Sequence, residues 1–166
     1  MEAFKKLGLH EDLIKALREA GFSEPRPIQA QTIPLALAGK DVIGGSATGS
    51  GKTLAFGAGI IQQITPHGGI QALVLTPTRE LAEQVAGELD RFAKYRDLAV
   101  AAVYGGVSIE PQIHYLRKAE IVVGTPGRLL DHLERRTLNL SKVRFLVLDE
   151  ADRMLDMGFI EDVEHI

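Results

Sequence analysis

Short unbroken apolar runs alternate along the chain with longer segments in which apolar residues recur every three or four positions. The unbroken runs predict buried strands at 41–43, 72–75, 98–104, 121–123 and 143–148. The periodic segments predict helices at 11–20, 27–37, 52–64, 79–93, 109–116 and 128–134, and a further helix that begins at Phe159. Such alternation is typical of a parallel sheet covered on both faces. The predicted fold is therefore α/β, a parallel β-sheet sandwiched by helices.

Glycine, proline and polar residues follow the predicted strands. Parallel sheets of this kind bind ligands at the edge where the strands end. We therefore expect the unusual chemistry of the chain to collect on one edge. The loops concerned are Gly49-Ser50-Gly51, Pro77-Thr78-Arg79, Gly105-Gly106, Thr125-Pro126-Gly127-Arg128 and Asp149-Glu150.

A near match to the phosphate-loop pattern G-x-x-x-x-G-K-[ST] begins at Ser46, which replaces the first glycine. Glycines in the loop let backbone N–H groups converge on a phosphate at the start of the next helix. Lys52 is expected to reach the β- and γ-phosphates, and the Thr53 hydroxyl to ligate Mg²⁺. A Gly-Ser-rich turn that caps an ordinary helix is the less favoured alternative. The predicted phosphate-binding residues are Ser46, Ala47, Thr48, Gly49, Ser50, Gly51, Lys52 and Thr53.

Two carboxylates, Asp149 and Glu150, follow the last apolar strand. Adjacent strand residues point to opposite faces, so the two can divide the work. Asp149 is expected to act on the Thr53-bound Mg²⁺, largely through water, and Glu150 to polarise an attacking water. A solvated acidic turn that opens a helix is the alternative. Combined with the Lys52 loop, the pair predicts nucleoside-triphosphate hydrolysis with Lys52, Asp149 and Glu150 as catalytic residues.

Composition sets bounds on this interpretation. A length of 166 residues allows one domain with a hydrophobic core. The absence of cysteine excludes disulfides and favours a cytoplasmic location. No apolar run reaches the ~20 residues of a membrane span, and the first residues lack the apolar stretch of a signal peptide. The net charge of −3 provides no global basic field, so nucleic-acid binding requires a local patch or backbone contacts.

The order of these motifs resembles the DEAD-box ATP-dependent RNA helicases along the whole chain. Gly21-Phe22 followed by Pro27-Ile28-Gln29 looks like that family's Q motif. The segments that look like its RNA-contacting motifs are 77–82, Gly105-Gly106 and Thr125-Pro126-Gly127-Arg128, and 153–159 continue past the carboxylates as in family members. The resemblance implies a Q-motif region at 1–39 and a RecA-like P-loop NTPase domain at 40–166, incomplete at its carboxyl end.

The resemblance also implies residue roles in adenine and RNA recognition. The Gln29 amide can read adenine N6 and N7 and select ATP over GTP. Phe22 or Phe4 is a candidate to stack on the base, with core packing as an alternative for both. Arg79 and Arg128 are expected to hold RNA phosphates without reading sequence. The predicted RNA-binding residues are Pro77, Thr78, Arg79, Gly105, Gly106, Thr125, Pro126, Gly127 and Arg128.

The implied activity is ATP-dependent RNA unwinding, with ATP and Mg²⁺ as cofactors and RNA bound through its backbone. A third motif and a second RecA-like domain are expected beyond Ile166, so the isolated chain is expected to bind nucleotide weakly and hydrolyse almost none. The third motif's strand normally lies beside the carboxylate strand. Either another chain completes the sheet, or the sheet closes up, or the chain is less stable than its relatives.

Two other functions stay open at this stage. One is a nucleotide-dependent clamp on RNA or on a protein, without unwinding. The other is a DNA translocase or an unrelated P-loop ATPase, which Gln29 and the motifs at 77–82 and 125–128 disfavour.

Overall fold

The computed structural model describes residues 2–37, 50–156 and 158. The helices are α1 (Glu2–Lys6), α2 (Glu11–Glu19), α3 (Pro27–Leu37), α4 (Ser50–Gln63), α5 (Arg79–Phe92), α6 (Glu110–Leu116), α7 (Pro126–Glu134) and α8 (Ala151–Asp156). The strands are β1 (Ala72–Leu75), β2 (Val100–Val103), β3 (Ile121–Gly124) and β4 (Phe145–Leu148). The strand predicted at 41–43, the loop residues Ser46, Ala47, Thr48 and Gly49, and the helix predicted from Phe159 lie outside the described residues.

The four described strands form one parallel sheet in the order β2-β3-β1-β4. Leu75 at the end of β1 lies opposite Gly124 of β3 and Leu148 of β4, and Gly124 lies opposite Val103 of β2. The strands therefore end level with one another. This arrangement confirms the predicted α/β fold and brings the loops that follow the strands to one edge.

Alternate residues of the strands pack into two separate cores, because successive side chains of a strand point to opposite faces. On one face, Val74 and Val123 pack with apolar residues of α1 to α5. On the other face, Leu73 and Val122 pack with residues that include Leu129 of α7. Each fully buried aliphatic side chain contributes about 1.5–3 kcal/mol. Among the described residues, no helix is long and apolar enough to cross a membrane.

Several element bounds differ from the sequence prediction. The strand predicted at 98–104 is shorter because Leu98 packs in the core outside the ladder and the Tyr104 carbonyl accepts a hydrogen bond from Gln112. The last strand begins at Phe145 rather than at residue 143. Helix α7 begins earlier, with Pro126 in its first turn, where proline is well tolerated. Helix α1 was not predicted, because Phe4 is its one buried residue and a single anchor gives no periodicity.

Two glycines permit close approach between neighbouring elements. A Cβ atom added at Gly57 of α4 lies 2.6 Å from a methyl carbon of Leu89 in α5. A Cβ atom at Gly124 lies 2.8 Å from the Val103 carbonyl oxygen and 2.9 Å from Leu129. Larger residues at either position require a displacement of packed neighbours. Gly57 thus joins α4 closely to α5, and Gly124 joins the end of β3 to β2 and α7.

Candidate functional site

The start of α4 and the end of β4 bring Lys52 and Asp149 together. Lys52 Nζ lies 2.7 Å from Asp149 Oδ1, and the two side chains are 12% and 5% exposed. Apart from this ion pair, neither atom has a hydrogen-bond partner among the described residues. An ammonium carries three N–H donors and a carboxylate accepts several hydrogen bonds, so most of the capacity of these two atoms is unused among the described residues. Buried charges with so few partners are costly, which is typical of a site that a charged ligand completes.

The residues around this ion pair fit a magnesium-bound polyphosphate. Ser50, Gly51, Lys52 and Thr53 form the first turn of α4, where backbone N–H groups have no intrahelical partner and the helix dipole favours anions. Thr53 is buried and lines, with Lys52 and Asp149, a cleft of about 360 Å³. A hydroxyl and a carboxylate are the oxygen ligands that Mg²⁺ prefers. The structure thus brings the described members of the predicted phosphate site together with the predicted carboxylate.

Asp149 and Glu150 lie in a turn rather than on a strand. The strand ends at Leu148, and Asp149 is tied to β1 by its backbone N–H, which donates to the Leu75 carbonyl at 2.9 Å. Glu150 has φ = 53°, a left-handed conformation that costs a non-glycine residue on the order of 1–3 kcal/mol and is concentrated at functional sites. The sequence pattern predicted that the two carboxylates point to opposite faces of a strand, and this reason was therefore wrong. The two carboxylates are separated by a strained turn, and both line the cleft.

Gln29 is fully buried and bridges α3 to α4. Its Oε1 accepts a hydrogen bond from the Arg26 backbone N–H at 2.8 Å, and its Nε2 donates to the Gly51 carbonyl at 3.1 Å. A Cβ atom at Gly51 lies 3.1 Å from Gln29 Nε2, so a glycine there permits the contact. Among the described residues, one amide N–H and one lone pair of Gln29 have no hydrogen-bond partner, which is the capacity that adenine reading requires. The sequence did not reveal the contact with the phosphate-loop helix, and adenine reading stays a prediction.

The two candidate stacking rings have different environments. Phe4 has no exposed surface and belongs to the core, which favours the packing alternative for this residue. Phe22 is half-buried and meets Phe92 edge to face, with ring centroids 5.7 Å apart. It also lines a cleft of about 250 Å³ with Arg26 and Glu88. Phe22 is therefore the better placed of the two to contact a base.

Arg79 lies at the start of α5 in a cluster with Glu83 and Tyr104. Its Nε donates to Glu83 Oε1 at 3.3 Å, and its guanidinium lies 5.0 Å from the centroid of the Tyr104 ring. The Tyr104 hydroxyl donates to the same Glu83 oxygen at 2.8 Å, which lowers the pKa of Glu83, with Arg79 contributing further. Tyr104 and Glu83 were missed in the sequence, although the Arg79–Glu83 spacing of four helical residues was a signal. The Arg79 side chain is 48% exposed and can reach a ligand.

The neighbouring residues of that loop have structural roles of their own. Pro77 is buried, and the Thr78 hydroxyl accepts from the Leu81 backbone N–H at 3.2 Å, so it caps α5. Thr125 is half-buried and its side chain makes no cap hydrogen bond to α7. Pro126 is buried and Gly127 is exposed.

The Gly105-Gly106 loop lies against Arg128, whose side chain is 13% exposed. Arg128 Nη2 donates to the Val107 carbonyl at 3.0 Å, and Nη1 donates to Gln112 Oε1 at 3.1 Å. Gly106 has φ = 82°, a conformation that favours glycine, and a Cβ atom at either loop glycine meets no other atom within 4 Å. The loop glycines therefore face open space, whereas two N–H groups of the Arg128 guanidinium are used for hydrogen bonds within the protein.

His132 of α7 is a fully buried histidine that the sequence did not single out. Its Nε2 lies 3.1 Å from Gln112 Oε1, and its Nδ1 lies 2.8 Å from the Thr137 hydroxyl. Burial lowers the pKa of His132, and the nearby Arg128 charge lowers it further. The spacing of Arg128 and His132, one helical turn apart on α7, was the available signal.

Comparison with known proteins gives a consistent result. The family model for the DEAD/DEAH box helicase matches residues 26–166. The chain is 54% identical over 165 residues to the DEAD-box ATP-dependent RNA helicase CshA of Bacillus licheniformis, and 50% identical over 168 residues to CshA of Bacillus cereus. These alignments cover 98% and 100% of this chain but 34% and 32% of the relatives. The chain thus spans about a third of their length.

Solved structures agree with the sequence comparisons. A DEAD box protein from the hyperthermophile Methanococcus jannaschii matches with a TM-score of 0.93 and 48% identity, over 98% of this chain and 45% of that one. A hypothetical ATP-dependent RNA helicase from Sulfolobus tokodaii matches with a TM-score of 0.87 and 44% identity, over 93% of this chain and 45% of that one.

Proposed function

Since the chain belongs to the DEAD/DEAH box helicase family, we propose that it is the ATP-binding, RecA-like domain of an ATP-dependent RNA helicase. The observation that carries the proposal is the buried Lys52–Asp149 ion pair at the amino end of α4. Its atoms have few partners, and a helix N-terminus, a buried hydroxyl and a second carboxylate surround it. This arrangement suits a nucleoside triphosphate bound with Mg²⁺.

The residues of the cleft divide the work of hydrolysis. When ATP and Mg²⁺ occupy the cleft, ATP would supply the γ-phosphate and the metal ion would act as an electrophile. Lys52 neutralises the β- and γ-phosphates, and Thr53 and Asp149 hold the metal, Asp149 largely through water. Glu150, fixed by its turn, orients and polarises the attacking water. Ser46, Ala47, Thr48 and Gly49 belong to this proposal as phosphate-loop residues on the strength of their sequence pattern.

Adenine and RNA recognition belong to the same proposal. Gln29 reads adenine, and Phe22 contacts the base. The RNA backbone lies along the edge formed by the loops after β1, β2 and β3, where Arg79 and Gly105-Gly106 are accessible. Backbone contact without base contact makes the binding independent of sequence. Coupling of nucleotide turnover to duplex separation belongs to the whole protein, and the cysteine-free composition favours a cytoplasmic location.

A direct experiment measures ATP hydrolysis and strand separation by the full-length protein with RNA, with DNA and without nucleic acid. We expect RNA to stimulate hydrolysis and a short RNA duplex to separate. Binding of both ligands without separation supports the clamp alternative instead. Equal stimulation by DNA supports a translocase and contradicts the proposal.

A second experiment tests adenine selection by calorimetry. ADP is expected to bind more tightly than GDP, and Gln29→Ala to reduce this difference. Gln31→Ala, on the exposed side of α3, is the matched control. Equal affinities of the unaltered protein for ADP and GDP contradict the adenine-reading role.

A further inference from the structure

The Gly105-Gly106 loop is held on both of its flanks by hydrogen bonds from side chains of the protein. On the side of Tyr104, the carbonyl oxygen accepts a hydrogen bond from Gln112 Nε2 at 2.9 Å. On the side of Val107, the carbonyl oxygen accepts from Arg128 Nη2 at 3.0 Å. The two donor side chains are themselves joined, because Arg128 Nη1 donates to Gln112 Oε1 at 3.1 Å. The loop is thus bracketed by one connected pair of side chains, from α6 and α7.

His132 supports this pair from the core side. Gln112 Oε1 accepts from Arg128, so His132 Nε2, 3.1 Å from the same oxygen, carries the proton in the arrangement that satisfies the network. The Thr137 hydroxyl lies 2.8 Å from the unprotonated Nδ1 and 3.1 Å from the His132 backbone carbonyl oxygen, so its single proton is shared between these two acceptors. Gln112 is 5% exposed and His132 is not exposed at all. A buried polar network in which the members are partnered in this way is rigid.

Arg79 and Arg128, the two arginines at this edge of the sheet, differ in the exposure of their side chains, which indicates different roles. The Arg79 side chain is 48% exposed, whereas that of Arg128 is 13% exposed. Arg128 also lies 4.0 Å from Asp131, which offsets part of its charge. Two of the five guanidinium N–H donors of Arg128 are committed to Gln112 and Val107, so the group is less free than that of Arg79 to turn toward a phosphate. Gly106, in contrast, has a left-handed backbone with open space beside it.

We propose that Gln112, Arg128 and His132 are positioning residues, which hold the Gly105-Gly106 loop in the shape that receives RNA, and that Arg128 acts through this loop rather than by binding a phosphate. We call these three residues the loop clamp. The inference rests on the proposed RNA-binding function of this edge. It differs from the role that the sequence pattern predicts for Arg128.

The substitution Arg128→Lys separates the two roles. A lysine keeps the charge but cannot reach two acceptors in a fixed fork. Binding of a mixed-sequence single-stranded RNA to the full-length protein is measured with a non-hydrolysable ATP analogue over a series of salt concentrations. If the loop clamp is correct, we expect Arg128→Lys to weaken RNA binding about tenfold, because one hydrogen bond to a charged group is lost. The slope of log K for RNA binding against log salt concentration should stay unchanged. Unchanged affinity in Arg128→Lys overturns the proposal. So does a slope in Arg128→Gln that falls by about 0.7, the value of one phosphate contact to a single strand.

The histidine provides a rescue test. His132→Leu removes the hydrogen bond to Gln112 and is expected to weaken RNA binding while ADP affinity stays unchanged. His132→Gln offers an N–H to the same oxygen and is expected to restore most of the affinity. His114→Gln, at an exposed position of α6, is the matched control. Equal RNA affinities of His132→Leu and the unaltered protein contradict the clamp.

Failure of the loop-clamp proposal and failure of the proposed function give different experimental results. If the unaltered protein binds no RNA with any nucleotide, the proposed function fails. If the unaltered protein binds RNA and Arg128→Lys binds it equally well, only the loop-clamp proposal fails. Should His132→Leu not fold, as judged by thermal melting, Arg128→Lys decides the question.

Discussion

Two buried polar clusters lie near the same edge of the sheet and differ in how completely their atoms are partnered. In the first, Lys52 Nζ and Asp149 Oδ1 contact each other and have no hydrogen-bond partner among the described residues. In the second, Gln112 and His132 use both ends of their side chains for hydrogen bonds within the protein. Similar burial thus serves two purposes. Poorly partnered charges provide binding free energy for a ligand, and fully partnered groups fix a backbone shape.

The largest expected effect concerns the poorly partnered cluster. Glu150→Gln in the full-length protein should lower RNA-stimulated ATP hydrolysis by about 10²- to 10⁴-fold, because the amide cannot accept the proton of the attacking water. Nucleotide affinity should stay unchanged. Glu134→Gln, at an exposed end of α7, is the control. An unaffected rate in Glu150→Gln removes Glu150 from catalysis.

A stability measurement compares the two clusters directly. Gln112→Leu removes one hydrogen-bond partner each from Arg128, His132 and the Tyr104 carbonyl and should destabilise the protein around β3 by about 1–3 kcal/mol. The double substitution Lys52→Met with Asp149→Leu removes both charges and should be neutral or stabilising by about 1–4 kcal/mol, while it abolishes nucleotide binding.

Hydrogen exchange of the β3 amides in the full-length protein gives both values. Gln31→Leu, at an exposed position of α3, controls for the added apolar side chain. The comparison is contradicted if the double substitution strongly destabilises the protein and Gln112→Leu leaves its stability unchanged.

A smaller effect is expected for the exposed arginine. Arg79→Gln should lower the salt slope of RNA binding by about 0.7, because one phosphate contact is lost. Arg91→Gln, near the other end of α5 and exposed, should leave the slope unchanged. A slope that is the same in Arg79→Gln and in the unaltered protein shows that Arg79 binds no phosphate.

The smallest effect is a pH dependence of stability. The pKa of His132 lies below its ordinary value of 6.5, first through burial and then through the Arg128 charge, with Arg135 lowering and Asp131 raising it. Between the lowered pKa and 6.5, the unfolded chain binds the proton more readily than the folded protein does. The contribution of neutral His132 is therefore complete above about pH 6.5 and is lost as the pH falls through the lowered pKa.

Thermal melting of unaltered protein and His132→Gln over this pH range checks the prediction. The variant should lose less stability as the pH falls. The His114→Gln control should lose as much as the unaltered protein. Identical pH profiles for all three exclude His132 as the titrating group.

Much of the fold was predictable because it depends on local pattern. Apolar runs placed the described strands, and helical periodicity placed most of the helices, since both follow from the direction of successive side chains. The meeting of Lys52, Asp149 and Glu150 at one cleft was predictable because phosphate chemistry requires those residue types in that order, and their roles in that chemistry stay predictions.

Other features depend on contacts between residues distant in sequence and were not predictable. Arg79 and Arg128 each lie in the first turn of a helix that follows a strand. Arg79 contacts Tyr104, whereas Arg128 contacts Gln112 and Val107, and these contacts distinguish the two. The contact of Gln29 with Gly51 spans 22 residues. Glu150 has a left-handed backbone conformation, which a glutamate rarely adopts and which its residue type therefore does not predict. By propensity alone, Gly57 weakens a helix by roughly 1 kcal/mol, whereas the structure shows a close approach to Leu89.

That close approach has a mechanical consequence. Helices α4 and α5 carry Lys52 and Arg79 near their amino ends, and they touch at Gly57 and Leu89 with no room for a single added carbon. Close-packed interiors have low compressibility and transmit displacement. A shift of α4 at this contact therefore displaces the Leu89 side chain and, through the packed core, α5. The residues proposed to bind phosphate and RNA, Lys52 and Arg79, thus lie on two helices in direct contact, and a larger residue at position 57 displaces Leu89 between them.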